Sequence, residues 1–124
     1  MSDTERTIAE AEGLAFLGLY VESWEVVETL PSSARLLPEV LAVRLLICAG
    51  LPRFELGREI ARIVGPGSAE GIREAAGRFR LADALALCAA GDMDGARAAV
   101  AAMAVVWPEG RALALDAPGL AGLW

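Results

Sequence analysis

The chain has 124 residues, enough for one domain with a hydrophobic core, and 56% of them are hydrophobic. It contains no His, so a Ser–His or Cys–His nucleophile is impossible, and Lys, Asn and Gln are absent as well. The formal net charge is −6, because residues 1–39 carry eight acidic side chains against two Arg while the remainder balances. This acidic field argues against nucleic acid and anionic membrane surfaces as partners. The composition is typical of a GC-rich, bacterial genome.

Apolar residues recur at helical spacing along the chain and strand-like alternation is absent, so we predict an all-α fold. Ser2 with Glu5 predicts a capping box before the first helix, and Pro38 suits the first turn of the third. Ser68 and Asp92 are the predicted N-caps of the fifth and sixth helices. The predicted helices cover about residues 4–17, 21–30, 38–49, 53–64, 68–90 and 92–107.

The turns inside the three predicted helix pairs share one pattern: "GLYVES" from Gly18, "GLPRFELG" from Gly50 and "GDMDGA" from Gly91. Each starts with a helix-ending Gly that can take positive φ, and the second holds two extra residues, Leu51 and Pro52. A large apolar residue follows to fill the space between two helices, and a small one three positions later lets them approach. Later positions continue the same helix face. The aligned sets are Tyr20, Phe54 and Met93; Ser23, Gly57 and Ala96; Val27, Ala61 and Val100; and Leu30, Val64 and Met103.

This pattern resembles the tetratricopeptide repeat family. The third repeat matches best, with Ala84, Leu87, Gly91, Met93, Ala96, Val100, Met103 and Pro108. The resemblance implies one domain, residues 1–124, of three antiparallel helix hairpins stacked as a short right-handed solenoid. The repeats would cover about residues 4–31, 38–64 and 68–108. Residues 109–124 would form a docked C-terminal cap through Leu113, Leu115, Leu120, Leu123 and Trp124.

The resemblance also implies that the first helix of each pair lines a concave groove for a partner. Arg44 has two interpretations, an ion pair with Glu12 or a contact with the ligand, and both remain open. The Lys and Asn that some family members use to bind a terminal carboxylate are absent. The implied groove residues are Glu12, Phe16, Arg44, Ile47, Cys48, Arg78, Leu81 and Leu85.

"GDMDGA" also suggests a calcium loop, but its spacing is wrong. With Gly95 at loop position six, position twelve is Ala101 instead of a bidentate Glu. We predict instead that Asp92 caps the following helix and that Asp94 complements its dipole. "GPGSAEG" from Gly65 lacks the Lys and the preceding strand of a phosphate loop, so we interpret it as a linker. Arg73 and Arg78 nearby leave an anion-binding alternative open, and no metal or cofactor is predicted.

Cys48 and Cys88 lie in apolar runs without a CxxC motif. We expect two reduced thiols in a cytoplasmic protein, although a disulfide is conceivable if the two residues meet. The chain begins with acidic residues, so no signal peptide is predicted. The longest uncharged run, residues 98–108, is too short for membrane insertion.

Our first functional hypothesis is a non-enzymatic interaction module, an adaptor or chaperone-like subunit that binds a peptide or helix of another protein. The alternative is a structural subunit or homo-oligomer within a larger assembly. Mean hydropathy is +0.47, and the sixth helix, with Arg97 as its only charge, lacks a polar face. A homodimer that covers this helix is therefore the second hypothesis, and an enzyme that uses Asp, Glu or Arg is a remote third.

Overall fold

The computed structural model describes residues 2–124, and this part of the chain is helical with no strand, which confirms the all-α prediction. Short 3₁₀ turns occupy Ser32–Ala34, Pro108–Gly110 and Pro118–Leu123. The α-helices are α1 (Asp3–Phe16), α2 (Tyr20–Glu28), α3 (Pro38–Gly50), α4 (Phe54–Ala61), α5 (Glu70–Ala89), α6 (Met93–Val106) and α7 (Arg111–Asp116).

Ser2 and Asp92 are N-caps in the structure, which confirms Asp92 and the Ser2 half of the predicted capping box. Ser2 Oγ accepts a hydrogen bond from the Glu5 amide at 3.1 Å, and Asp92 Oδ1 accepts one from the Gly95 amide at 2.9 Å. The prediction for Ser68 is wrong, because α5 begins two residues later and its N-cap is Ala69. Ser68 Oγ instead accepts from the Gly65 amide at 3.1 Å and closes the preceding loop.

Three-residue connections join α1 to α2, α3 to α4, and α5 to α6. Gly18 and Gly91 hold the same middle place and adopt φ of +77° and +85°, as predicted for these two turns. The predicted longer second turn is wrong, because this connection has three residues like the other two. Gly50 ends α3, as predicted, but without a positive φ. Its missing side chain serves close packing instead, since a Cβ there would overlap the Tyr20 ring.

Consecutive helices pack in pairs, α1 with α2, α3 with α4, and α5 with α6. Each pair also contacts the next, because α3 packs against α1, α2 and α5, and α5 packs against α4. The buried residues form three clusters in chain order. The first surrounds Val27 and Ile47, the second Leu45 and Phe79, and the third Met103. The first helices of the three pairs, α1, α3 and α5, are therefore neighbours.

The small residue near the start of each second helix is buried, as the turn pattern predicts. Ser23 on α2 donates its hydroxyl to the Ala11 carbonyl of α1 at 2.6 Å. Gly57 on α4 makes room for Phe79 of α5, whose ring a Cβ would overlap. Ala96 on α6 is fully buried in the third cluster. At all three positions a small residue lets another helix approach closely, but the group that packs against the small residue differs.

The segment after α6 docks on α5 and α6, as predicted for a C-terminal cap. Ala114, Leu120 and Leu123 are buried there. Leu113, Leu115 and Trp124 were expected to contribute and instead remain exposed. A helix as short as α7 can turn only one face toward its neighbour, so its other apolar side chains meet solvent.

Candidate partner-binding groove

A groove of about 570 Å³ runs across α1, α3 and the first half of α5. On α3 its lining comes from Glu39, Ala42, Val43 and Leu46, which follow the i, i+3, i+4, i+7 spacing of one helix face. The full lining is Glu12, Phe16, Pro38, Glu39, Ala42, Val43, Leu46, Ala69, Gly71, Ile72, Glu74, Ala75 and Arg78. We call this surface the α1–α3–α5 groove.

The floor of the groove is apolar and fixed, while one wall carries a free aromatic ring. Val43, Ile72 and Ala75 are buried parts of the hydrophobic core. Phe16, in the last turn of α1, keeps 75% of its surface exposed. Full burial of a side chain of this size is favourable by about 1.5–3 kcal/mol, so an apolar partner that covers Phe16 would gain binding free energy from this contact.

The charges around the groove favour cations. Arg78 lies 3.2 Å from Glu74 Oε1 and 5.1 Å from the centre of the Trp107 ring, and it is the only cation in a lining that also holds Glu12, Glu39 and Glu74. Within residues 2–124, neither Glu12 nor Glu39 has an ion-pair partner. Both side chains are exposed at the groove. The local field is therefore negative above an apolar floor.

The structure brings together three of the predicted groove residues, Glu12, Phe16 and Arg78. Ile47 and Cys48 are fully buried in the core, so their prediction as groove residues is wrong. The predicted face of α3 is displaced by one residue from Val43 and Leu46, and one residue rotates a side chain by about 100° around a helix. Helical spacing alone does not identify this face, because α3 is apolar on nearly all sides.

Leu81 and Leu85 lie outside the groove because only the first half of the 20-residue α5 reaches it. Both are partly buried and pack against the third cluster. Leu85 Cδ2 would lie 2.7 Å from a Cβ placed on Gly119, so this side chain contacts the docked tail. Their predicted position in the groove is therefore wrong, and they serve packing between α5 and the C-terminal segment.

Arg44 makes neither the predicted ion pair with Glu12 nor a contribution to the groove wall. Its Nη1 donates to the Arg35 carbonyl at 3.4 Å, which ties α3 to the loop before it. Arg44 follows Val43 by one residue, and this rotates its side chain by about 100° away from the groove face, as it does for Ile47 after Leu46. Arg44 therefore has a structural contact that its position in an apolar run does not reveal.

An ion pair between the partly exposed Arg58 and the buried Asp83 joins α4 to α5 outside the groove. Arg58 Nε and Nη2 donate to the two carboxylate oxygens of Asp83 at 2.8 Å and 2.6 Å. Asp83 keeps only 2% of its surface exposed, and its hydrogen bonds raise the pKa of Arg58 above the usual range. Both carboxylate oxygens are satisfied, so this pair positions two helices and leaves no free group for chemistry.

The two cysteines are free thiols that lie in different clusters. Cys48 is fully buried, and this burial raises the pKa of its thiol, with a smaller opposing effect from the charges of Arg44 and Arg53. Cys88 is half-buried, and its Sγ lies 3.6 Å from Met93 Sδ. The disulfide left open by the sequence is not formed.

Comparison of the chain with protein families, curated proteins and solved structures gave no match. The resemblance to tetratricopeptide repeats therefore rests on the sequence pattern alone. Among residues 2–124, no helix combines the length and the apolar character needed to cross a bilayer.

Proposed function

We propose that the protein is a non-enzymatic interaction module that binds an apolar, basic helical segment of another protein in the α1–α3–α5 groove. The observation that carries this proposal is Phe16, a large and exposed ring beside a buried apolar floor. Glu12 and Glu39, which have no ion pair within the described chain, supply the charge preference. An adaptor or a chaperone-like subunit would use such a surface.

The proposal includes the arrangement of the helices as a short right-handed solenoid of the tetratricopeptide type. Its support is the equal length of the three connections and the packing of α1, α3 and α5 in chain order. The buried small residues Ser23, Gly57 and Ala96 add to it, because they occupy equivalent places at the starts of α2, α4 and α6. In such a solenoid the first helices would form the concave side, and α1, α3 and α5 are the helices that line the groove.

The occupant of the groove would be an amphipathic helix. Its apolar stripe would cover Phe16, Ala42 and Leu46, and Arg or Lys side chains at the edge of that stripe would pair with Glu12 and Glu39. Three adjacent helices spaced 8–10 Å apart give a width of about 20–30 Å, which a helix of roughly 14–20 residues would span. The free thiols of Cys48 and Cys88 are typical of a reducing compartment, so we place this interaction in the cytoplasm.

The test is fluorescence anisotropy with two labelled peptides that share the same Leu and Ala stripe. One carries Arg beside the stripe, the other Glu at the same positions. We expect the Arg peptide to bind at least about tenfold more tightly, which corresponds to about 1.4 kcal/mol. Glu12→Gln combined with Glu39→Gln should remove most of this difference and reduce the dependence of binding on salt.

Phe16→Ala tests the apolar contact separately from charge. The matched control is Ile63→Ala, since Ile63 is similarly exposed and lies outside the groove. We expect Phe16→Ala to weaken the Arg peptide about tenfold or more and Ile63→Ala to leave it unchanged. Equal binding of the two peptides, or equal effects of the two Ala substitutions, would contradict the proposal.

A further inference from the structure

A second groove, of about 410 Å³, lies at the other end of the molecule between α6 and the C-terminal segment. Val100 and Ala104 of α6 form one wall, and Leu115, Leu123 and Trp124 form the other. Leu115 and Trp124 keep 60% and 56% of their surface exposed. We call this surface the C-terminal groove. It has the apolar character of an interface that lacks its partner.

The C-terminal groove is positively charged although the chain is acidic. Arg97 and Arg111 belong to its lining, which contains no acidic side chain. Arg97 Nη1 lies 3.4 Å from Asp94 Oδ1, but the Asp94 side chain is fully exposed and such a pair is weak in water. Arg111 has no ion-pair partner within the described part of the chain. An occupant of this groove should therefore be apolar and carry carboxylates.

The first helix pair carries exposed residues of that chemistry. Leu17, Leu19 and Val21, around the connection between α1 and α2, are all exposed. Glu10 lies seven residues before Leu17 and Glu25 lies four residues after Val21, so each carboxylate falls on the helix face of an exposed apolar residue. We call Glu10, Leu17, Leu19, Val21 and Glu25 the N-terminal patch. Neither Glu10 nor Glu25 is ion-paired in residues 2–124.

We infer that the N-terminal patch of one copy of the chain docks in the C-terminal groove of another, so that the protein associates head to tail. Arg97 and Arg111 would then face Glu10 and Glu25, and Leu115 and Trp124 would cover Leu17 and Val21. A symmetric contact would instead place Arg against Arg at one end or Glu against Glu at the other, and like charges oppose association. This inference does not depend on the proposed function of the α1–α3–α5 groove.

Head-to-tail contact has a consequence that separates it from a symmetric dimer. Each added copy leaves one N-terminal patch and one C-terminal groove free, so association continues beyond two chains. If only one kind of end is blocked in every copy, no contact can form. Now consider a mixture of two variants, one with a blocked N-terminal patch and one with a blocked C-terminal groove. The free groove of the first can bind the free patch of the second, and association must then stop at a dimer.

The experiment is light scattering on the full chain, as the wild-type protein, two blocked variants, their equimolar mixture and a control variant. The first variant carries Val21→Arg and Glu25→Arg, which block the N-terminal patch. The second carries Arg111→Glu and Leu115→Glu, which block the C-terminal groove. All four positions are exposed, so the fold should be retained, and circular dichroism checks this. The exposed pair Arg62→Glu and Ile63→Glu is the control, because it lies outside both surfaces.

We expect the mean mass of the wild-type protein and of the control to rise with concentration between about 1 and 200 µM, the range of modest interface affinities, and to pass the mass of two chains. Each blocked variant alone should remain at the 13.0 kDa of one chain. Their equimolar mixture should form a dimer and nothing larger. If a substitution prevents folding, Leu17→Ser and Leu115→Ser replace the charged variants and should weaken association in the same pattern.

Three results would overturn the inference. A wild-type protein that stays monomeric over this range has no such contact. A dimer formed by the N-terminally blocked variant alone indicates a symmetric contact through the C-terminal groove. A mixture of the two blocked variants that stays monomeric shows that the two surfaces do not recognise each other.

Discussion

The centre of the molecule and its C-terminal region contain similarly apolar residues but bury them to different degrees. In the central cluster, Leu45, Cys48 and Phe79 of α3 and α5 are fully enclosed. In the C-terminal region Met103 and Leu120 are equally enclosed, yet Val105, Leu115 and Trp124 face solvent. Residue type alone therefore does not decide burial in this chain.

The difference follows from the number of neighbours that each region has. The α3 helix packs against α1, α2, α4 and α5, so most of its apolar side chains are buried and its groove face stays open. The α6 helix has α5 on one side and only short segments of the tail on the other. In a stack of helix pairs an interior pair is covered on both sides and a terminal pair on one. The exposed apolar residues at the end are thus the expected place for contact with another chain.

The largest expected difference in stability is between Ala substitutions of a buried and an exposed Phe. Phe79→Ala should lower the free energy of unfolding by about 3–5 kcal/mol, because it empties a fully enclosed site next to Gly57. Phe16→Ala removes the same side chain from an exposed position and should change stability by less than about 0.5 kcal/mol. Urea denaturation of the two variants measures this difference. Similar midpoints would mean that the centre is no more tightly packed than the surface.

The next effect tests whether the tail belongs to the core. Leu120→Ala should cost about 2–4 kcal/mol, since Leu120 is fully buried among Ala84, Ala96 and Met103. Leu115→Ala, five residues earlier and exposed, should cost less than about 0.5 kcal/mol in a monomer. Thermal unfolding at low protein concentration provides the measurement. A tail that is not docked would make both substitutions neutral.

The smallest expected difference in stability is between breaking an ion pair in the centre of the molecule and breaking one near its C-terminal end. Asp83→Ala leaves Arg58 without its buried partner and should cost about 2 kcal/mol, below the 3–5 kcal/mol of a fully buried pair because Arg58 is 38% exposed. Asp94→Ala breaks the exposed pair with Arg97 and should cost less than about 0.5 kcal/mol. Denaturation in low and high salt distinguishes the two pairs, since salt should weaken only the exposed one. A salt-sensitive Asp83 effect would show that water reaches that pair.

Local patterns were sufficient to predict most helices and their turns. The large residues Tyr20, Phe54 and Met93 each begin a second helix, as their place after the turn predicts. Asp92 is a cap in the structure because its interaction involves only residues three positions apart. Ser68 has the same chemistry but bonds backward to Gly65, which residue type alone cannot distinguish.

The candidate groove was predictable only in part. Glu12, Phe16 and Arg78 were identified through the family resemblance, while the α3 face was placed one residue too far along the chain. Periodicity defines an apolar face, but α3 is apolar nearly all round, so the pattern did not indicate which side meets the partner helices. The hydrogen-bond partners of Arg44 and Arg58 also could not be predicted from the sequence, because they lie on other elements of the fold.

The sequence by itself determined the class of fold, the approximate helix boundaries and the positions of close approach, because these depend on spacing, caps and residue volume within a few neighbouring positions. The tertiary structure alone decided what fills each close approach: the Ala11 carbonyl at Ser23 and the Phe79 ring at Gly57. It also decided which rotation of α3 faces the groove and which apolar residues stay exposed at the ends. These features depend on contacts between residues distant in the chain. A helix that is apolar on most sides can pack in several rotations, and only the packing of its neighbours selects one of them.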